Sequence, residues 1–340
     1  MINPLRFLFN NKLKASKLAR SGGGFTLIEL VVAMILAGLV ITPLMGFMLN
    51  IMDSDRKEQA KTTSEQELQV ALDYIAQDLQ QAVYIYDGEG VAAIKDQLPH
   101  SNDATKVPVL VFWKRQVIKD AIRYDGQLCT DNDVTSGDCE DSFVYSLVAY
   151  YLIKDNQGKD VIWYGAARIG RFQIKDGVQN PNYPVDNYGN PRYVEGHEPD
   201  KGFKLFDLDA EGNTLKAKMN QWEKDKADYD QPTNVLVDFI DQSTRAVPAA
   251  VDCSSTLGLD TSVNDDTLRV TPSSVALNTN SFYACVDSSQ TLAQVYIRGN
   301  ALARISNNQI ASDATYSSSR SAYFPTANVR IEGRGFLSAE

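Results

Sequence analysis

From Phe25 to Met52 the chain is apolar with one marked exception, Glu29, and no side chain between Leu30 and Met52 is charged. At about 1.5 Å per residue this run reaches roughly 40 Å as a helix, longer than the roughly 30 Å hydrocarbon core of a bilayer. The pattern predicts a membrane-spanning helix over 25–52. Gly38 and Pro43 lie inside it. Proline removes a backbone hydrogen bond and crowds the preceding turn, so a bend is expected there, with the Thr42 hydroxyl placed to satisfy a backbone group. From Asp53 the period changes. Leu68, Leu72, Ile75, Leu79 and Val83 recur at three- and four-residue steps, while Glu65, Gln69, Asp73, Gln77 and Gln80 fall on the other face. This predicts an amphipathic continuation of the helix over 53–86.

Beyond Gly88 short β-rich runs and polar loops replace the helical period. Val107–Trp113 reads as a strand, with Pro108 marking a strand start or sheet edge. Phe143–Ile153 and Val161–Ile174 read as a hairpin around the polar loop 154–159. Val235–Ile240, Phe282–Val286, Leu292–Ile297 and Val329–Ile331 are further strands. Four prolines between Gln179 and Asp200 predict an irregular loop, Lys216–Tyr229 a short charged helix and Ser306–Ser321 a mobile loop. The fold class is α+β: one long N-terminal helix packed on an antiparallel, β-rich exported domain over 87–340.

The 24 residues ahead of the apolar run hold Arg6, Lys12, Lys14, Lys17 and Arg20 and no acid. A basic flank stays cytoplasmic, so a single pass through the inner membrane would place the C-terminal domain in the periplasm. Glycines stand before the apolar segment rather than after it, where they offer a protease an extended backbone and leave the helix in the product. A carboxylate at the mouth of such a helix costs several kcal/mol unless it has a partner.

Gly24-Phe25-Thr26-Leu27-Ile28-Glu29-Leu30 resembles the type III signal of type IV prepilins and pseudopilins. The resemblance implies removal of a leader, residues 1–24, by prepilin peptidase and N-methylation of Phe25. It also implies pairing of Glu29 with the terminal amine, that of Phe25, on a neighbouring subunit during assembly. The partners it implies are other pilins or pseudopilins and an inner-membrane assembly platform, with the filament in the periplasm or at the cell surface. Relatives carry a glycine and a proline bracketing a stretch that loses helicity in the filament; here Pro43 comes earlier than in many of them. Ile75–Ala82 resembles the end of the long helix in large minor pseudopilins of the J or W type. In size, basic leader and acidic exported part, the chain is also similar to cyanobacterial pseudopilins linked to polysaccharide secretion and hormogonium gliding. That likeness implies a polysaccharide cargo and a role in surface motility.

Net charge changes the picture mainly by exclusion. It is −10 for the chain, and without the five basic residues of the leader it is near −15. An acidic surface of this size argues against binding nucleic acid. The four cysteines fall into two local pairs. In an oxidising compartment the spacing favours Cys129–Cys139 and Cys253–Cys285 among the three possible connectivities; the competing reading is four reduced thiols. Neither pair has zinc-ligand spacing.

Signals for catalysis are sparse. His100 and His197 are the only histidines, and both read as loop residues. Glu195, His197 and Glu198 are possible ligands without a fixed geometry. No G-x-S-x-G elbow is present, and Gly22-Gly23-Gly24 has no phosphate-loop context. Asp131, Asp133, Asp138, Glu140 and Asp141 cluster around the first cysteine pair. Asp131-Asn132-Asp133 begins like a calcium loop, but Gly137 stands at the seventh position instead of the sixth and the twelfth lacks Glu. Trp113, Trp163, Tyr164, Tyr183, Tyr188 and Tyr193 could form a sugar-stacking surface or pack internally. The expected function is a structural, non-enzymatic filament subunit without a cofactor, calcium being the one candidate. A tip adhesin or glycan-binding module and a membrane-anchored exported enzyme are the competing readings.

Overall fold

The computed structural model describes residues 24–154, 167–260, 262–272, 277–305, 314–335 and 337. The chain forms two compact units, divided after Ser54. Helix α1, Leu27–Gln80, supplies the first unit and enters the second. In the first, the helix continues without interruption through Gly38 and Pro43. The Thr42 hydroxyl donates to the Gly38 carbonyl at 2.8 Å.

In the second unit α1 is followed by β1 (Ala82–Ile85), α2 (Gly88–Ile94), β2 (Lys106–Arg123), α3 (Asp131–Ser136), β3 (Cys139–Ile153) and β4 (Ala167–Lys175). Then come α4 (Leu215–Met219), β5 (Asn234–Ile240), α5 (Cys253–Leu257), α6 (Asp265–Leu268) and β6 (Arg269–Val270). β7 (Phe282–Asp287), β8 (Leu292–Arg298), α7 (Ala301–Ile305) and β9 (Thr326–Glu332) complete the chain. The strands form two antiparallel meanders, β1-β2-β3-β4-β5 and β6-β7-β8-β9.

The predicted stripe does its work here. Leu68, Leu72, Ile75 and Leu79 are buried in one core with residues of both sheets, while Glu65, Gln69, Asp73, Gln77 and Gln80 are exposed. Each such leucine or isoleucine contributes about 1.5–3 kcal/mol by leaving water. The helix ends at Gln80, earlier than the pattern over 53–86 predicts, and Val83 lies in β1. Ala82-Val83-Tyr84-Ile85 is buried on both faces, which suits a strand and not a one-sided helix. Backbone amides from distant parts of the chain cap the helix end: Arg334 N, just past β9, donates to the Gln80 carbonyl and Arg115 N of β2 to that of Gln81, each at 3.2 Å.

Other elements also differ from their sequence pattern. Asp87 accepts from Gly90 N and caps α2, where only β structure is expected. β2 runs to Arg123, ten residues past Trp113. Pro108 is near its start as predicted; β1 pairs β2 only at Phe112–Lys114, so at Pro108 β3 is the one strand partner, with a register shift between Pro108 and Leu110. β3 and β4 pair from Ser146↔Lys175 to Ile153↔Arg168; residues 155–166 of the predicted hairpin lie outside the described residues. The predicted helix over Lys216–Tyr229 shortens to α4. Trp222 turns into the core against Trp113, and the Tyr229 hydroxyl donates to the Gln97 carbonyl, which draws the chain off the helical path. Of Ser306–Ser321, residues 306–313 lie outside the described residues, and Ser318 opens a 3-10 helix to Tyr323. Residues 179–200 form no strand, only the isolated bridges Gln179↔Tyr193 and Val185↔Pro191.

Cys129 bonds Cys139, and Cys253 bonds Cys285. The second bond ties α5 to β7 inside a buried cluster with Leu257 and Leu268. Its 32-residue separation gives a loop-closure contribution of about 3–4 kcal/mol, against about 2.5 for the ten-residue separation of the first. Replacing both Cys253 and Cys285 by alanine should therefore lower the urea midpoint more than the same change at Cys129 and Cys139.

Candidate functional site: the helix N-terminus

Thr26 sets the start of α1. Its hydroxyl accepts from Glu29 N at 3.3 Å, and its carbonyl accepts from Leu30 N at 3.2 Å. Thr26 thus acts as the N-cap and places Glu29 in the first helical turn. There the helix dipole favours a negative charge by about 0.3–1 kcal/mol. That is less than the several kcal/mol a carboxylate loses at the edge of lipid, so the local fold does not meet the cost alone. Gly24 has no heavy atom near the position a Cβ would take, and Phe25 is 83 % exposed. Every residue from Phe25 to Met52 is exposed, although nearly all are apolar. A helix apolar on all sides requires lipid or other helices around it, and α1 is long and apolar enough to cross a membrane.

A second charged arrangement, absent from the sequence analysis, lies wholly in the second unit. Asp78 sits on the buried face of α1 and binds three strands. Lys114 Nζ of β2 reaches Asp78 Oδ1 at 2.8 Å, and Arg171 Nε of β4 reaches Oδ2 at 2.7 Å. The Tyr150 hydroxyl of β3 donates to the same Oδ2 at 2.7 Å. Burial opposes the Asp78 charge, but the hydrogen bond and charge of Arg171, then those of Lys114, outweigh it and hold the carboxyl below its ordinary value of 3.8. Burial and the Asp78 charge push the Tyr150 phenol upward, so it stays a donor. This clasp fastens α1 to the sheet. The legible signal was an acid three residues after Ile75, on the apolar stripe.

A comparable pair joins the sheets. Arg298 Nε of β8 reaches Asp241 Oδ2 at 2.8 Å, just past β5, and both side chains are buried.

The remaining candidates do not converge. His100 Nε2 lies 3.0 Å from Thr233 Oγ1, in edge contact with Tyr151. Glu195 and Glu198 are exposed on a loop, with His197 half-buried between them. Asp133 accepts from the Thr130 amide and hydroxyl and lies 3.5 Å from Arg123, so its carboxylate serves a helix cap. Asp138, Glu140 and Asp141 are exposed, and the side chain of Asp131 lies outside the described residues. Among the described residues no group of three or more His, Cys, Asp or Glu could hold a metal ion. Trp113 is fully buried against Phe203, Phe206 and Trp222, and its indole donates to the Tyr86 hydroxyl. Tyr183 and Tyr188 are exposed, Tyr193 is half-buried, and Trp163 and Tyr164 lie outside the described residues. The six aromatics therefore do not form one platform.

Residues 20–45 match the family model of the prokaryotic N-terminal methylation motif. The match supports a type IV pilin- or pseudopilin-like subunit, membrane-anchored through α1, and suggests a structural role rather than an enzymatic one. It implies processing by prepilin peptidase and contact with other pilin subunits. No curated protein and no solved structure matches the chain.

Proposed function

We propose that the chain is a structural minor subunit of a type IV pilus-like or type II secretion-like filament. The observation that carries this reading is a methylation motif whose one acid stands in the first turn of a helix that is otherwise uncharged and exposed as far as Met52. Prepilin peptidase cuts after Gly24, the new Phe25 amine is methylated, and the apolar helices pack side by side. Glu29 of one subunit then meets the Phe25 amine of another, which offsets the cost of the charge and sets axial register. The exported domain meets other subunits and cargo. Its size and acidity support a place among the large minor pseudopilins, and on that likeness the cargo is polysaccharide and the process surface motility.

Mass spectrometry of the N-terminus tests the reading. The expected product begins at Phe25 with one added methyl group, and Gly24→Ala should reduce its yield at least tenfold. A chain purified from its native membrane that still begins at Met1 would overturn it.

A further inference from the structure

β1 pairs with β2 only as far as Lys114, and β4 pairs with β3 only from Ser146 onward. The outer halves of β2 and β3, from Arg115↔Tyr145 to Arg123↔Cys139, therefore leave the sheet as a two-stranded arm. Such a ribbon is marginal by itself. This one is stiffened by the Cys129–Cys139 bond and by a small second core of Ala121, Ile122, Val144, Val178 and Val194. The loop 178–194 lies on it, with Asn180 Nδ2 donating to the Gly126 carbonyl at 3.0 Å.

The built arm is unlike the rest of its unit. Of the twelve large apolar side chains exposed among the described residues after Asp55, eight lie between Val117 and Tyr188. They include Tyr124, Phe143, Tyr183 and Tyr188, the last 91 % exposed. Residues 115–145 and 176–200 hold twelve acids and four bases, a net charge of −8 against −10 for the whole chain. A stiff support with exposed aromatics inside an acidic field is the composition of a protein interface whose other side is basic. The same field repels a second copy of the arm and any acidic polymer.

We propose that this arm docks a second, different protein through a basic surface with an apolar centre. The test places the photo-crosslinking residue p-benzoylphenylalanine at Phe143 or Tyr188 of the full chain in intact cells, with Val70, an exposed apolar residue outside the arm, as control. The expected result is a protein adduct at least tenfold stronger from 143 and 188 than from 70, its crosslinked peptide carrying net positive charge. Adding E195K and E198K should cut that yield at least tenfold with the thermal midpoint unchanged. A glycan adduct, an adduct with a second copy, no adduct, or undiminished yield after charge reversal overturns the proposal. The N-terminal mass of the same chain reports separately on the filament reading.

Discussion

Glu29→Gln should leave the chain processed and in the membrane but nearly absent from filaments. Glutamine keeps the length and the N-terminal position in α1 while removing the charge. The substituted helix enters lipid more readily, because the helix dipole repaid only a small part of what the carboxylate lost. On the proposed pairing, what disappears is the attraction to the Phe25 amine of a neighbour. Removing one partner of a desolvated ion pair costs about 3–5 kcal/mol, and each 1.4 kcal/mol is tenfold in an equilibrium. Incorporation should fall by roughly a hundredfold or more, read as the ratio of subunit in sheared filaments to subunit in membranes. Normal incorporation of a chain that begins at Phe25 would rule out the pairing while leaving the processing intact.

Asp78→Asn should strongly destabilise the second unit. It leaves a buried Lys114 and a half-buried Arg171 without their counter-charge, at a cost of about 3 kcal/mol. Asp73→Asn, one turn earlier on the exposed face, should stay within about 0.5 kcal/mol. Fluorescence-detected unfolding of the detergent-held full chain measures both, since Trp113 and Trp222 lie in the core that the clasp closes. The pH dependence has a definite sign. The carboxyl is held below 3.8 in the folded protein, so the clasp contributes fully above that value. Its contribution is lost as pH falls further, through the folded-state value. Wild type should therefore lose stability below about pH 4 more steeply than Asp78→Asn, and equal slopes would show that the clasp adds nothing.

The disparity between these two sites explains what was readable in advance. The motif around Glu29 is local. Its meaning rests on the order of a basic flank, a glycine, an aromatic and one acid before an apolar run, and no distant residue alters it. Asp78 has the same chemistry but acquires its role from Lys114 and Arg171, 36 and 93 residues away in sequence. The stripe Leu68, Leu72, Ile75, Leu79 was equally local and did become the buried face. The end of α1 depended instead on what covered residues 82–85. Val83 continued the helical period, yet burial on both faces made it part of a strand.

By itself the sequence determined the class of structure: an apolar helix with an acid near its start, an amphipathic extension, and β-rich runs after it. Helical and strand periods are properties of neighbouring residues, so they survive without knowledge of the fold. Only the tertiary structure decided that Trp113 is core, that Asp133 serves a cap, that Asp78 locks the helix to three strands and that Tyr124, Phe143, Tyr183 and Tyr188 are exposed on one acidic arm. Each of these depends on which distant backbone comes within a few ångströms, and burial of that kind is set by the packing of the whole domain.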